Sequence, residues 1–227
     1  MIEIKLHMKS QMKLRWLKNS LVTALIALSA PVLRADSTVV YKAQSAGSGV
    51  KIDGSSTIHN WTVEGKIIGG QFEVDPGFPL QGTPSTGKVN AKAKATIPIR
   101  SLKSGKARMD EVMQEAMKAT DFPRIDYELI DMTLKDAPKT ASDPLLFDAT
   151  GKLTISGVTK TNAMQVSCDR TEPTKLKFKS VANLKMTDFG IVPPAPSLAL
   201  GLIKTGDDIK VTVEWVTAVH KVEAVAK

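Results

Sequence analysis

The chain of 227 residues contains a single cysteine, Cys168, so no intramolecular disulfide can brace it. Cys168 lies on an alternating segment, where a buried, inert thiol is expected. Only three histidines are present. His7 lies near the start and His220 near the end, which leaves no imidazole cluster and no spacing that suits zinc or iron. No Gly-rich phosphate loop, dinucleotide fingerprint or Gly-x-Ser-x-Gly elbow occurs. A Ser-His-Asp relay could draw only on His59 with Asp53, Ser55 and Ser56, and alternation does not bring those four into line. No catalytic residue, metal ligand or cofactor is therefore assigned. There is also no linker, low-complexity tract or fixed-period repeat, so one domain over residues 36–227 is the simplest account.

No apolar run reaches the roughly 20 residues that span a bilayer. The segment Leu21–Leu33 has thirteen, follows a basic stretch from Lys5 to Lys18, and precedes Arg34-Ala35-Asp36. That order describes a cleaved secretory leader over residues 1–35, with cleavage after Ala35, and implies a periplasmic or secreted protein. No cysteine lies just after the run, which argues against a lipid-anchored lipoprotein. The leader also carries most of the formal charge of +8. Residues 36–227 hold 25 basic and 22 acidic side chains, too even a balance for a nucleic-acid surface.

What remains has ordinary composition, 42% apolar and 24% charged, with 15 glycines and 12 prolines spread along it. The dominant signal is period two, the mark of half-buried strands. Val89, Ala91, Ala93, Ala95, Ile97 and Ile99 share one face, and Lys88, Asn90, Lys92, Lys94 and Thr96 the other. Leu176, Phe178, Ala182 and Leu184 alternate with lysines, and Ile209, Val211, Val213 and Trp215 with polar residues. Leu153 and Ile155, a turn at Gly157–Lys160, and Met164, Val166 and Cys168 read as a hairpin.

Two strands slip phase. Trp61, Val63 and Ile67 are odd-numbered but Phe72 and Val74 even, with Gly69-Gly70 between them. Ile125, Tyr127 and Leu129 give way to Ile130, Met132 and Leu134. Bulges or bends at such slips let a long sheet curl into a barrel. One segment has helical spacing instead: Met109, Val112, Met113, Ala116 and Met117 predict an amphipathic helix over 104–120, ending before Phe122-Pro123. Its Met row reads first as core packing.

Four stretches in order resemble the YceI-like family: SSTIHNWTVEGKIIGGQFEVD (Ser55–Asp75), MDEVMQEAMKATDFPRIDYEL (Met109–Leu129), GKLTISGVTKTNAMQV (Gly151–Val166) and LKMTDFGI (Leu184–Ile191). Asn60 stands where many relatives have Asp. The resemblance implies an all-β, lipocalin-like antiparallel barrel of about eight strands with one helix. It also implies export and a non-enzymatic carrier or sequestering role for a polyisoprenoid or isoprenoid quinone, with transient membrane contact and a homodimer.

The residues bear on that expectation directly. Three consecutive inward alanines leave volume that either bulky neighbours or a ligand must fill. Trp61, Val63, Phe72, Ala91, Ala93, Ala95, Ile97, Tyr127 and Phe178 are the candidate lumen contacts, and His59 the candidate for a polar head group near a barrel end. The competing expectation is an exported stress-response or interaction module whose barrel is filled by side chains and which acts through its surface. A hydrolase is a distant third.

Overall fold

Ten strands form from the alternating segments among the residues described by the computed structural model, which are 38–75, 78, 83–170, 172, 174–195 and 203–220. The leader and its cleavage position lie outside these residues. The strands are β1 (Val39–Ser56), β2 (Asn60–Gly65), β3 (Gly69–Val74), β4 (Gly87–Lys88), β5 (Ala91–Pro98), β6 (Arg124–Asp136), β7 (Leu145–Ile155), β8 (Val158–Asp169), β9 (Lys175–Lys185) and β10 (Thr205–Val219). Eight of them, β1, β3 and β5–β10, close an antiparallel barrel in which β10 returns to β1. The short β4 adds to β6. β2 and β3 share one edge of β1: Val50–Ser55 pair with β2, and Val39–Lys42 with β3.

Both phase slips mark real irregularities. In β6 the register shifts between Leu129 and Asp131, leaving Ile130 52% exposed while Leu129 and Met132 both turn inward. Between β2 and β3 the break comes earlier than the glycines suggest. Ile67 is 51% exposed and Ile68 takes the buried position, correcting the expectation that Ile67 shares the inner face. Gly70 then crosses β5 so closely that a Cβ would lie 1.9 Å from the Lys94 carbonyl oxygen, at φ +121°.

A third irregularity, in the seam, left no periodic signal. At the β1 bulge between Gln44 and Gly49, Ser48 takes over part of the ladder. Its hydroxyl donates to the Gln44 carbonyl at 2.5 Å and accepts the Val216 N–H at 2.9 Å. The β7–β8 turn is tighter than Gly157–Lys160: Ser156 and Gly157 alone make it, both with positive φ, and β8 starts at Val158. This is the two-residue hairpin geometry whose twist suits antiparallel strands.

The two halves of the barrel are filled differently. Toward the end where β1 begins, Tyr41, Phe72, Phe78, Phe147, Phe178 and Trp215 form a chain of ring contacts with centroids 4.9–6.3 Å apart. Leu134, Leu145, Leu176 and Cys168 are fully buried. Burial pushes the Cys168 thiol up to about 12, so it is the inert thiol expected. The other half carries smaller residues. Its end is spanned by the helix α1 (Ala107–Ala116), shorter than the expected 104–120 because a turn replaces it from Met117.

Gly70→Ala and Gly87→Ala separate two costs. Both glycines have positive φ, but a Cβ at Gly87 meets nothing within 4 Å. Gly87→Ala is expected to cost about 1 kcal/mol and Gly70→Ala about 3 kcal/mol or more in denaturant unfolding. Equal losses would show that the Lys94 carbonyl can yield.

Candidate functional site

A cavity of about 600 Å³ occupies the half of the barrel beneath α1. That size suits one small or slender ligand. Every strand of the ring lines it through inward side chains, and nearly all of these are apolar. Trp61, Val63, Phe72 and Phe178 line it, as do Ala93, Ala95, Ile97 and Tyr127. Ala91 shares their face but packs against the core nearer the filled end and does not reach the cavity. The expectation for Ala91 is corrected on that ground: the aromatic cluster ends the open space before it. The Met row lines the cavity from above through Met109, Val112, Met113 and Met117. Core packing and cavity lining are here the same surface.

Glycines and alanines keep this volume open. Trp61 lies flat over its cross-strand partner Gly54, where a Cβ would come within 2.2 Å of the ring. Its Nε1–H donates to the Ser55 carbonyl at 2.9 Å. Tyr127 lies over Gly151 of the neighbouring strand, where a Cβ would be 2.3 Å from the ring. Burial alone pushes the Tyr127 hydroxyl up to about 12. Ala149 on β7 and Ala182 on β9 extend the small-residue wall begun by Ala93 and Ala95.

At the mouth the lining turns polar, with Ser56, His59, Lys106, Arg108, Lys185 and Thr205. His59 is exposed. Its Nδ1–H donates to the Asn60 carbonyl at 3.0 Å, so the backbone rather than a carboxylate orients the ring. Ser56 builds the surrounding turn: its hydroxyl donates to the His59 carbonyl at 2.8 Å and accepts the His59 N–H at 3.2 Å. Arg108 pairs with Glu111 at 2.9 Å and Lys185 with Asp208 at 2.9 Å, which leaves Lys106 as the rim cation without a carboxylate partner among the described residues.

The YceI-like domain model matches residues 41–217. The chain belongs to the YceI-like family. Among solved structures it is similar to BcnA of Burkholderia cenocepacia, at 18% identity and TM-score 0.58 over 77% of this chain and 98% of that one. It is also similar to a polyisoprenoid binding domain from Saccharophagus degradans, implicated in plant cell wall breakdown, at 12% identity and TM-score 0.61 over 81% of this chain and 100% of that one. At these identities the likeness is one of fold. No curated protein matches the chain.

In this YceI-like barrel the helix is pinned over the mouth at both ends. Lys103 pairs with Glu64 by two backbone hydrogen bonds of 2.8 Å, which covers the free edge of β2. Asp110, 8% exposed, accepts from the Ser104 N–H at 2.7 Å and the Ser104 hydroxyl at 2.6 Å, with the Lys103 ammonium at 3.8 Å. At the far end the buried Ser156 hydroxyl donates to the Met117 carbonyl at 2.9 Å. The residues that periodicity could not supply are those at element ends, Ser56, Lys106, Arg108 and Thr205, together with Ser180, a hydroxyl within an apolar inward row.

Burial raises the Asp110 carboxyl, but the two Ser104 bonds and Lys103 outweigh it and hold the group below its ordinary value of 3.8. A carboxyl depressed in the folded state stabilises above its unfolded pKa, and that contribution is lost as pH falls through the folded value. Asp110→Asn is therefore expected to lower Tm at pH 7 by about 3 °C and to flatten the fall in stability below about pH 4. Parallel pH profiles of the two proteins would contradict the assignment.

Proposed function

We propose that this protein is an exported lipid carrier that holds the apolar chain of an isoprenoid-type amphiphile, a polyisoprenoid or isoprenoid quinone, inside the barrel. The observation that carries this reading is the cavity itself, almost wholly apolar along its walls and polar mainly at its rim. Each methylene transferred from water to such a lumen contributes about 0.8 kcal/mol, so a long chain binds tightly through burial with few polar contacts. Membership of the YceI-like family and the fold shared with a polyisoprenoid binding domain support the ligand class. Binding and release require no covalent step. The rival in which side chains fill the barrel describes its aromatic half, but not the half beneath α1. Loading and unloading then take place by transient contact with a membrane outside the cytoplasm.

Native mass spectrometry of the protein purified without detergent, followed by solvent extraction, tests this reading. A discrete non-covalent adduct that extracts as an isoprenoid lipid is expected. Ala93 faces Phe72 across the β3–β5 pair, so Ala93→Phe places a second ring in the lumen. Lipid retention should then fall about tenfold or more, the equivalent of two displaced methylenes, while the far-UV spectrum stays unchanged. Failure of the wild-type protein to take up isoprenoid quinones or polyprenyl alcohols would refute the carrier reading.

A further inference from the structure

Most polar side chains facing the cavity are at its mouth, but two hydroxyls lie deeper. Tyr127 projects inward from β6, and Ser180 stands on β9 between Phe178 and Ala182 in the inward row. Among the described residues neither hydroxyl has a hydrogen-bond partner. Both residues are half-buried against the cavity, and once an apolar chain displaces water from it an unpaired hydroxyl is costly, whereas Phe and Ala would fill the same positions without that cost.

The local fold nevertheless holds the phenol in place. Gly151 is the position where any side chain would collide with the Tyr127 ring, and a Cβ there would lie 2.4 Å from the hydroxyl oxygen. Opposite Gly151 on β8, the amide oxygen of Asn162 is buried without a partner, outside the cavity lining. The lumen thus holds an unpaired phenol among apolar walls, whereas at the rim Arg108 and Lys185 already have carboxylate partners and Lys106 has none among the described residues.

We propose that Tyr127 donates to the neutral oxygen of the lipid, an alcohol, phenol or quinone carbonyl, so that the head group lies inside the barrel. This rests on the carrier reading and adds to it an orientation and a ligand class. An oxygen-bearing isoprenoid is preferred over the equivalent hydrocarbon, because only the oxygen satisfies the phenol. A phosphorylated head finds no surplus of positive charge in the lumen.

The test compares two probes, geranylgeraniol and the hydrocarbon of the same skeleton lacking the hydroxyl, by competition on the intact protein. The wild-type protein is expected to favour the alcohol about fivefold, the yield of one neutral hydrogen bond. That ratio should fall toward one in Tyr127→Phe. A second readout uses a short-chain isoprenoid benzoquinone. Its bound carbonyl stretch should shift to lower wavenumber in the wild type, and the shift should be lost in Tyr127→Phe. A preference and a carbonyl shift that survive in Tyr127→Phe would overturn the proposal and return the head group to the mouth beside His59. Failure of wild-type protein to bind either probe would overturn the carrier reading, and this proposal with it.

Discussion

The seam between β1 and β10 is the constraint on which the rest of the molecule depends. Closing the ring pairs each of the eight strands with a neighbour on both sides, although β8 and β9 pair only over Val166–Asp169 and Lys177–Ser180. Wall integrity then comes from the backbone ladder, and the interior need not be packed throughout for the wall to hold. Where the seam bulges near Gly47, the Ser48 hydroxyl substitutes for the missing ladder contact on both sides. Without closure, the half of the barrel lined by alanines would be a loosely packed sheet that could collapse onto itself.

Given a closed wall, residue size sets how far down the lumen stays open. The aromatic chain from Tyr41 to Trp215 fills one half and supplies the large buried area that a disulfide-free domain requires. Above it, Ala93, Ala95, Ala149 and Ala182 replace bulk with methyl groups. Trp61 and Tyr127 would close the space if they stood upright, but Gly54 and Gly151 let their rings lie against the wall. The helix above contributes methionines, whose unbranched side chains adapt to an occupant of varying shape. Its fixed points, Asp110 with Ser104 and Ser156 with Met117, lie at the two ends of the span and leave the Met row facing the lumen.

Much of the barrel was legible in the sequence because a half-buried wall alternates with period two. The slip at Leu129 and Ile130 gave the β6 bulge to within a residue. Between β2 and β3 the glycines drew attention away from Ile67 and Ile68, where the backbone turns over first. Alternation says which way a residue faces but not how deep it lies along the barrel axis. That is why Ala91 and Ala93 read alike, although only Ala93 reaches the cavity. The glycine beds of Trp61 and Tyr127 depend on cross-strand register, which no single strand encodes. Ser180 was passed over because one hydroxyl does not disturb an apolar row. The rim residues lie at or just beyond the ends of strands and helix, where periodicity gives no signal.

Direct location of the ligand is the most decisive measurement. An isoprenoid carrying a diazirine would be bound, irradiated, and its adducts mapped by peptide mass spectrometry. Adducts on the Met109–Met117 segment and on the inward residues of β5 are the predicted result, with the outer residues Ile130 and Val181 unlabelled. Labelling confined to those outer residues would contradict the account and place the lipid on the surface of the barrel.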